Sequence, residues 1–171
     1  MPRLGVLTGL LMITCLNGCA PSRPPGSIPE SDRQALLDQV RAPAADTEQD
    51  ELQIYRLRNP AVESLARQAR EAEQAGDPDR AWMLLERALR IDPQDAETLQ
   101  QMAELALARG ELEQAAAFAE RARELGPGVG ALCKRSLRTL MLINERRGQY
   151  DEAWKAYVGL GNCRVAPPAR Y

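Results

Sequence analysis

The chain has 171 residues, with 22 Lys and Arg against 24 Asp and Glu and a formal net charge of −2. A balance this close to neutral offers no basic footprint for nucleic acid, which needs an excess of cations to meet the phosphate backbone. Histidine is absent, so the usual general base, the usual zinc ligand and every Ser-His or Cys-His pair are missing, no cofactor is indicated, and catalysis is not expected.

Met1-Pro2-Arg3 gives a short basic start, and Leu4 to Leu16 is an apolar run broken only by Gly5, Thr8, Gly9 and Thr14. As a helix this run spans about 20 Å at ~1.5 Å per residue, short of a bilayer core of about 30 Å. It reads as an export signal rather than a membrane span. Leu16-Asn17-Gly18-Cys19 follows directly and resembles a bacterial lipobox. That resemblance implies removal of residues 1–18, lipidation of Cys19, and export. Ala20, rather than Asp, after the cysteine implies anchoring to the outer membrane, facing the periplasm, with the lipid as the only membrane contact.

Residues 19–59 read as a flexible tether. Pro21, Pro24, Pro25, Pro29 and Pro43 interrupt it, with Ser, Gly, Asp, Glu and Gln between them, and such a composition buries too little apolar surface to offset its ordering entropy. Ser31 can cap a brief helix through Val40, since Ala35, Leu36, Leu37 and Val40 lie at helical spacing, but a helix of that length is marginal alone. Glu51 to Leu57 carries Leu52, Ile54, Tyr55 and Leu57 and reads as a lead-in that docks on the folded domain. Some 40 residues reach about 130–140 Å when fully extended.

Self-similarity marks residues 60–163. Gly76 and Gly110 are 34 residues apart, as are Ala81 and Ala115, Ala88 and Ala122, and Pro93 and Pro127, and a third copy begins at Gly148-Gln149-Tyr150-Asp151-Glu152-Ala153. This resembles the tetratricopeptide repeat, a helix-turn-helix unit of the same period. The expected fold is all-α, about three tandem hairpins. Glycine ends each first helix because only a residue without Cβ turns cheaply into the left-handed region. The alanines let the second helix approach the first, and the prolines stop it. Leu65, Leu99 and Leu137 fill the bulky position of the first helices, and Leu85 and Tyr157 that of the second helices, where the middle repeat has Ala119 beside Phe118. Between Pro127 and Leu137 the third unit carries four extra residues, about one turn, including Cys133.

Cys15 leaves with the signal and Cys19 takes the lipid, which leaves Cys133 and Cys163 in an oxidising compartment. In a helical hairpin the start of one helix lies beside the end of the next, so a Cys133–Cys163 disulfide is expected. Residues 164–171 form a Pro-containing tail that cannot be the usual capping helix. Trp82 and Trp154 share one repeat position and are expected to pack in the core, although an uncapped end leaves Trp154 and Val158 partly exposed.

In tetratricopeptide proteins the first helices line a concave groove that holds a partner. Carried onto this sequence, the groove residues are Glu97, Gln100, Gln101 and Glu104, then Arg135, Arg138, Thr139, Leu142 and Arg146. An acidic-polar patch beside a basic one suits a polar protein surface. The plan of lipobox, Pro-rich tether and short repeat domain resembles the outer-membrane lipoproteins of the LpoP type, which activate bifunctional penicillin-binding proteins. The resemblance implies a monomeric, non-enzymatic activator whose repeat domain meets the periplasmic domain of a peptidoglycan synthase. A pilotin, or a general envelope-assembly adaptor binding other proteins, is the alternative.

Overall fold

A computed structural model of the protein describes residues 28–42 and 57–164. The signal, Cys19, most of the tether including residues 51–56 of the lead-in, and residues 165–171 of the tail lie outside the described residues. Leu57, the last residue of that lead-in, is fully exposed.

Seven α-helices follow one another: α1 Glu30–Arg41, α2 Pro60–Gln74, α3 Pro78–Ile91, α4 Ala96–Arg109, α5 Leu112–Leu125, α6 Gly130–Arg146 and α7 Tyr150–Gly159, with a 3-10 turn at Leu160–Cys163. Helices α2 to α7 pair as three antiparallel hairpins. Three of the four helix starts in the first two hairpins are capped by a side chain. Asn59, Asp77 and Asp95 accept hydrogen bonds from the backbone N–H of Ala61, Arg80 and Thr98, and Pro60 and Pro78 stand at the first helical position, where a missing N–H costs nothing.

One device closes every first helix. Gly76, Gly110 and Gly148 have φ of 77°, 80° and 70°. The N–H after each glycine then reaches back five residues, Asp77 to Ala72 at 2.9 Å, Glu111 to Ala106 at 2.9 Å and Gln149 to Asn144 at 2.8 Å. The glycine N–H itself bonds the carbonyls of Glu73, Leu107 and Glu145. This paired closure satisfies carbonyls the helix end would otherwise leave open. It is the physical content of the repeated glycine.

The packing follows from the alanines. Ala81, Ala88, Ala115 and Ala122 are fully buried and Ala153 nearly so, which lets paired helices approach without side chains between them. Val62, Leu65, Leu84, Leu85, Met102 and Leu105 fill one core. Trp82 packs beside it, edge-on to Phe118 at 6.0 Å between ring centroids, with the Arg109 guanidinium 4.8 Å over its face. The four extra residues of the third unit lengthen α6 at its start, and Cys133 in that first turn is joined to Cys163, with Cα atoms 5.6 Å apart.

Three expectations need correction. The stretch 30–41 is not tether but helix α1, and it belongs to the folded domain. Leu36, Leu37 and Val40 are buried, and Leu36 and Val40 share a second core with Leu107, Leu142 and Ile143. A helix that is marginal alone is stabilised here by tertiary burial of its apolar stripe; Ala35 stays exposed. Tyr157 is not a core residue, being 54% exposed, and Trp154 is 63% exposed and stacks on Tyr157 at 5.3 Å. Both follow from position: α7 is the outermost helix described, and no later helix among the described residues covers it.

Candidate functional site: a filled groove and an open end

The inner faces of α2, α4 and α6 form a groove, and α1 lies against α4 and α6 within it. The contact is apolar along its length and charged at one end. Arg41, the last residue of α1, donates from Nε to Glu104 at 2.7 Å and through both terminal nitrogens to Glu73 at 2.7 and 3.0 Å. Arg138 of α6 donates to the carbonyls of Val40 and Ala42. A helix end leaves carbonyls without intrahelical partners and carries partial negative charge, so an arginine there is doubly favourable.

Glu104 is the hub. It is fully buried, and besides Arg41 it accepts from Arg135 at 2.7 and 2.9 Å and from Gln100 at 2.9 Å. Arg135 also bonds Glu97 at 3.0 Å. Gln100 donates to Thr139 and accepts from Ser136, at 2.9 and 2.8 Å, so α4 and α6 are joined by polar as well as apolar contact. Burial alone would push the Glu104 carboxyl up, but the Arg135 and Arg41 charges hold it below the usual carboxylate range. Burial likewise works against the charged form of Arg41, and the hydrogen bond to Glu73 with the Glu104 and Glu73 charges holds its pKa above the ordinary value instead. These groups stay ionised together, which is the condition for burying charge.

The expected groove residues therefore divide. Glu97, Gln100, Glu104, Arg135 and Thr139 come together as one network facing inward, and Leu142 joins the core beneath α1. Arg138 caps α1. Gln101 is buried, and its Oε1 has no hydrogen-bond partner among the described residues. Arg146 is exposed and, among the described residues, donates to the Leu142 carbonyl of its own helix. These residues do not line an open, partner-ready surface, because the chain's own α1 occupies it. Sequence reasoning missed Glu73 and Arg41, and also the Arg58–Asp95 pair at 2.6 Å, which fastens the entry to α2 onto α4. The apolar stripe of α1 was the available signal for Arg41, since a buried stripe must lie against something.

Among the described residues, exposed large apolar side chains gather on α7. Tyr150, Trp154, Tyr157 and Val158 are 72%, 63%, 54% and 55% exposed. Their spacing puts them on one face of the helix. A shallow hollow of about 280 Å³ lies beside them, lined by Met141, Glu145, Trp154 and Tyr157 among others. A second, of about 370 Å³, is lined by Lys134, Arg138, Tyr157 and Arg164 with neighbouring apolar atoms. Among the described residues, no cluster of three or more His, Cys, Asp or Glu side chains could hold a metal ion.

Residues 72–135, from the end of α2 to the start of α6, match the family model of the tetratricopeptide repeat. The matched residues span α3, α4 and α5 with the adjoining ends of α2 and α6, and are similar to tetratricopeptide repeats. The fold is thus an all-α tandem array of such repeats, an architecture typical of protein-interaction scaffolds. No curated protein matches the chain.

Proposed function

We propose that this protein is a non-catalytic docking protein, lipidated at Cys19 and held to the outer membrane, whose repeat domain binds and activates a bifunctional penicillin-binding protein in the periplasm. Its support is of two kinds. The lipobox-like start and the short repeat domain give the resemblance to LpoP-type activators. The observation that carries the docking role is the open face of α7, where Tyr150, Trp154, Tyr157 and Val158 lie together in solvent. Contiguous exposed apolar surface marks interaction sites, and aromatic side chains dominate binding energy where they become buried. With the groove filled by α1, this end face is the surface that meets the synthase.

Purified chain beginning at Cys19, without lipid, should bind a bifunctional penicillin-binding protein of the same organism and raise its glycan polymerisation. Changing Trp154 and Tyr157 together to Ala should remove most of that stimulation. The reading fails if the chain neither binds nor stimulates any such synthase.

A further inference from the structure

The groove is occupied, but its occupant is held on different terms from the rest of the domain. We propose that α1 is an exchangeable latch, and that the groove's ligand in trans is the C-terminal end of an amphipathic helix with the same chemistry: two adjacent apolar residues, a third one turn later, and an arginine directly after it.

Three observations carry this. First, α1 is attached by little. It buries Leu36, Leu37 and Val40, whereas twelve residues of α4 are buried. A 12-residue helix of this kind has no stability apart from its docking.

Second, the groove survives the loss of α1. Glu104 keeps Arg135 and Gln100, and the bonds of Gln100 to Thr139 and Ser136 run only between α4 and α6. Glu73, Arg138 and one oxygen of Glu104 lose polar partners, and Leu107, Leu142 and Ile143 lose the cover of Leu36 and Val40; Glu73 and Arg138 are partly solvent-exposed and able to take water instead.

Third, the contacts that hold α1 recognise a kind of end, not merely a greasy surface. Glu73 and Glu104 grip a guanidinium while Arg138 grips the carbonyls of the last turn. A helix entering in the opposite direction would bring its N–H groups to Arg138, which cannot accept a hydrogen bond. The site thus selects helix polarity and a terminal arginine.

Fourteen residues, 43–56, connect α1 to the entry of α2. A ligand on a connection this short acts at an effective concentration of order mM. A competitor must therefore bind much more tightly than α1, or be concentrated beside it. One consequence rests on the lipid at Cys19, although the latch itself does not. Docked, nine residue steps from Cys19 to Ile28 reach at most about 30 Å; released, the 38 steps to Leu57 reach about 130 Å. Release would lengthen the leash.

The test needs no knowledge of the natural partner. In the wild-type chain from Cys19, amide hydrogen exchange should show α1 opening at least tenfold more often than α4. A fluorescent peptide of residues 28–42 should bind a chain carrying Leu37→Asp and Arg41→Glu at least tenfold more tightly than it binds wild type. The same peptide with Arg41→Glu should lose that binding. The proposal is overturned if α1 amides exchange only with global unfolding, if the variant fails to fold because α1 is part of the cooperative core, or if a folded variant ignores the peptide. None of these outcomes depends on where the lipid sits or on whether a synthase is the partner.

Discussion

Changing Glu104 to Gln should cost more stability than any other single polar substitution in the domain. The replacement keeps the shape and removes the charge. In the native site one carboxylate oxygen takes Arg41 at 2.7 Å and the other takes Arg135 at 2.7 and 2.9 Å. A glutamine has one acceptor and one donor at those places, so one guanidinium meets an NH2 group whichever way the amide turns. Removing one partner of a buried pair typically costs about 3–5 kcal/mol, because an uncompensated charge is left behind. Here Arg41 keeps Glu73 and Arg135 keeps Glu97, which places the expected loss near the lower end, about 3 kcal/mol. Arg41→Ala should cost less, about 1–2 kcal/mol, since its side chain is 31% exposed and Glu104 retains Arg135. Urea unfolding followed by circular dichroism measures both. A loss below about 1 kcal/mol for Glu104→Gln would refute the account of Glu104 as the buried hub.

Other expectations follow from the same geometry. Replacing Cys133 and Cys163 together by Ser opens a loop of 30 residues and should lower stability by about 3–4 kcal/mol on the chain-entropy model, read as a shift in urea midpoint. Glu104 and Asp95 are held below their ordinary pKa, against burial, by Arg135 and Arg41 in one case and by Arg58 and Thr98 in the other. Their contribution is therefore complete above the unfolded carboxylate range, about pH 4–4.5, and is lost as pH falls through their lower folded values. Thermal melts should be flat in pH above about 5 and fall below 4, with a shallower acid slope in Glu104→Gln. Trp154→Ala with Tyr157→Ala should change stability by no more than about 1 kcal/mol, because both side chains are largely exposed; a larger loss would mean that the α7 face is structural.

Much of the fold was legible because tetratricopeptide repeats encode their turns locally. A glycine at a fixed period forces the left-handed closure, and alanines at a fixed offset force close packing, so Gly76, Gly110, Ala81 and Ala115 carry the hairpins in the sequence itself. The place of α1 was not legible. Its stripe of Leu36, Leu37 and Val40 was visible, but Pro29 and Pro43 around it and its short length favour an unpaired segment, and only the tertiary groove outweighs that. The groove residues were expected on an open surface and lie instead beneath α1 or in the network between α4 and α6. Glu97, Gln100, Glu104, Arg135 and Thr139 look like solvent-facing side chains until the partner charges are seen to come from three different helices. Tyr157 was misplaced because repeat position predicts burial only where a following helix supplies the other half of the contact.

The central claim, that the open face of α7 meets a peptidoglycan synthase, is tested most directly by photo-crosslinking in cells. A photoreactive amino acid at position 154 of the full chain should yield an adduct with the periplasmic domain of a bifunctional penicillin-binding protein, identified by mass spectrometry. The same probe at position 67, on the exposed surface of α2, should not. An adduct from 154 only with a different class of protein, or none from 154 while 67 captures the synthase, would contradict it.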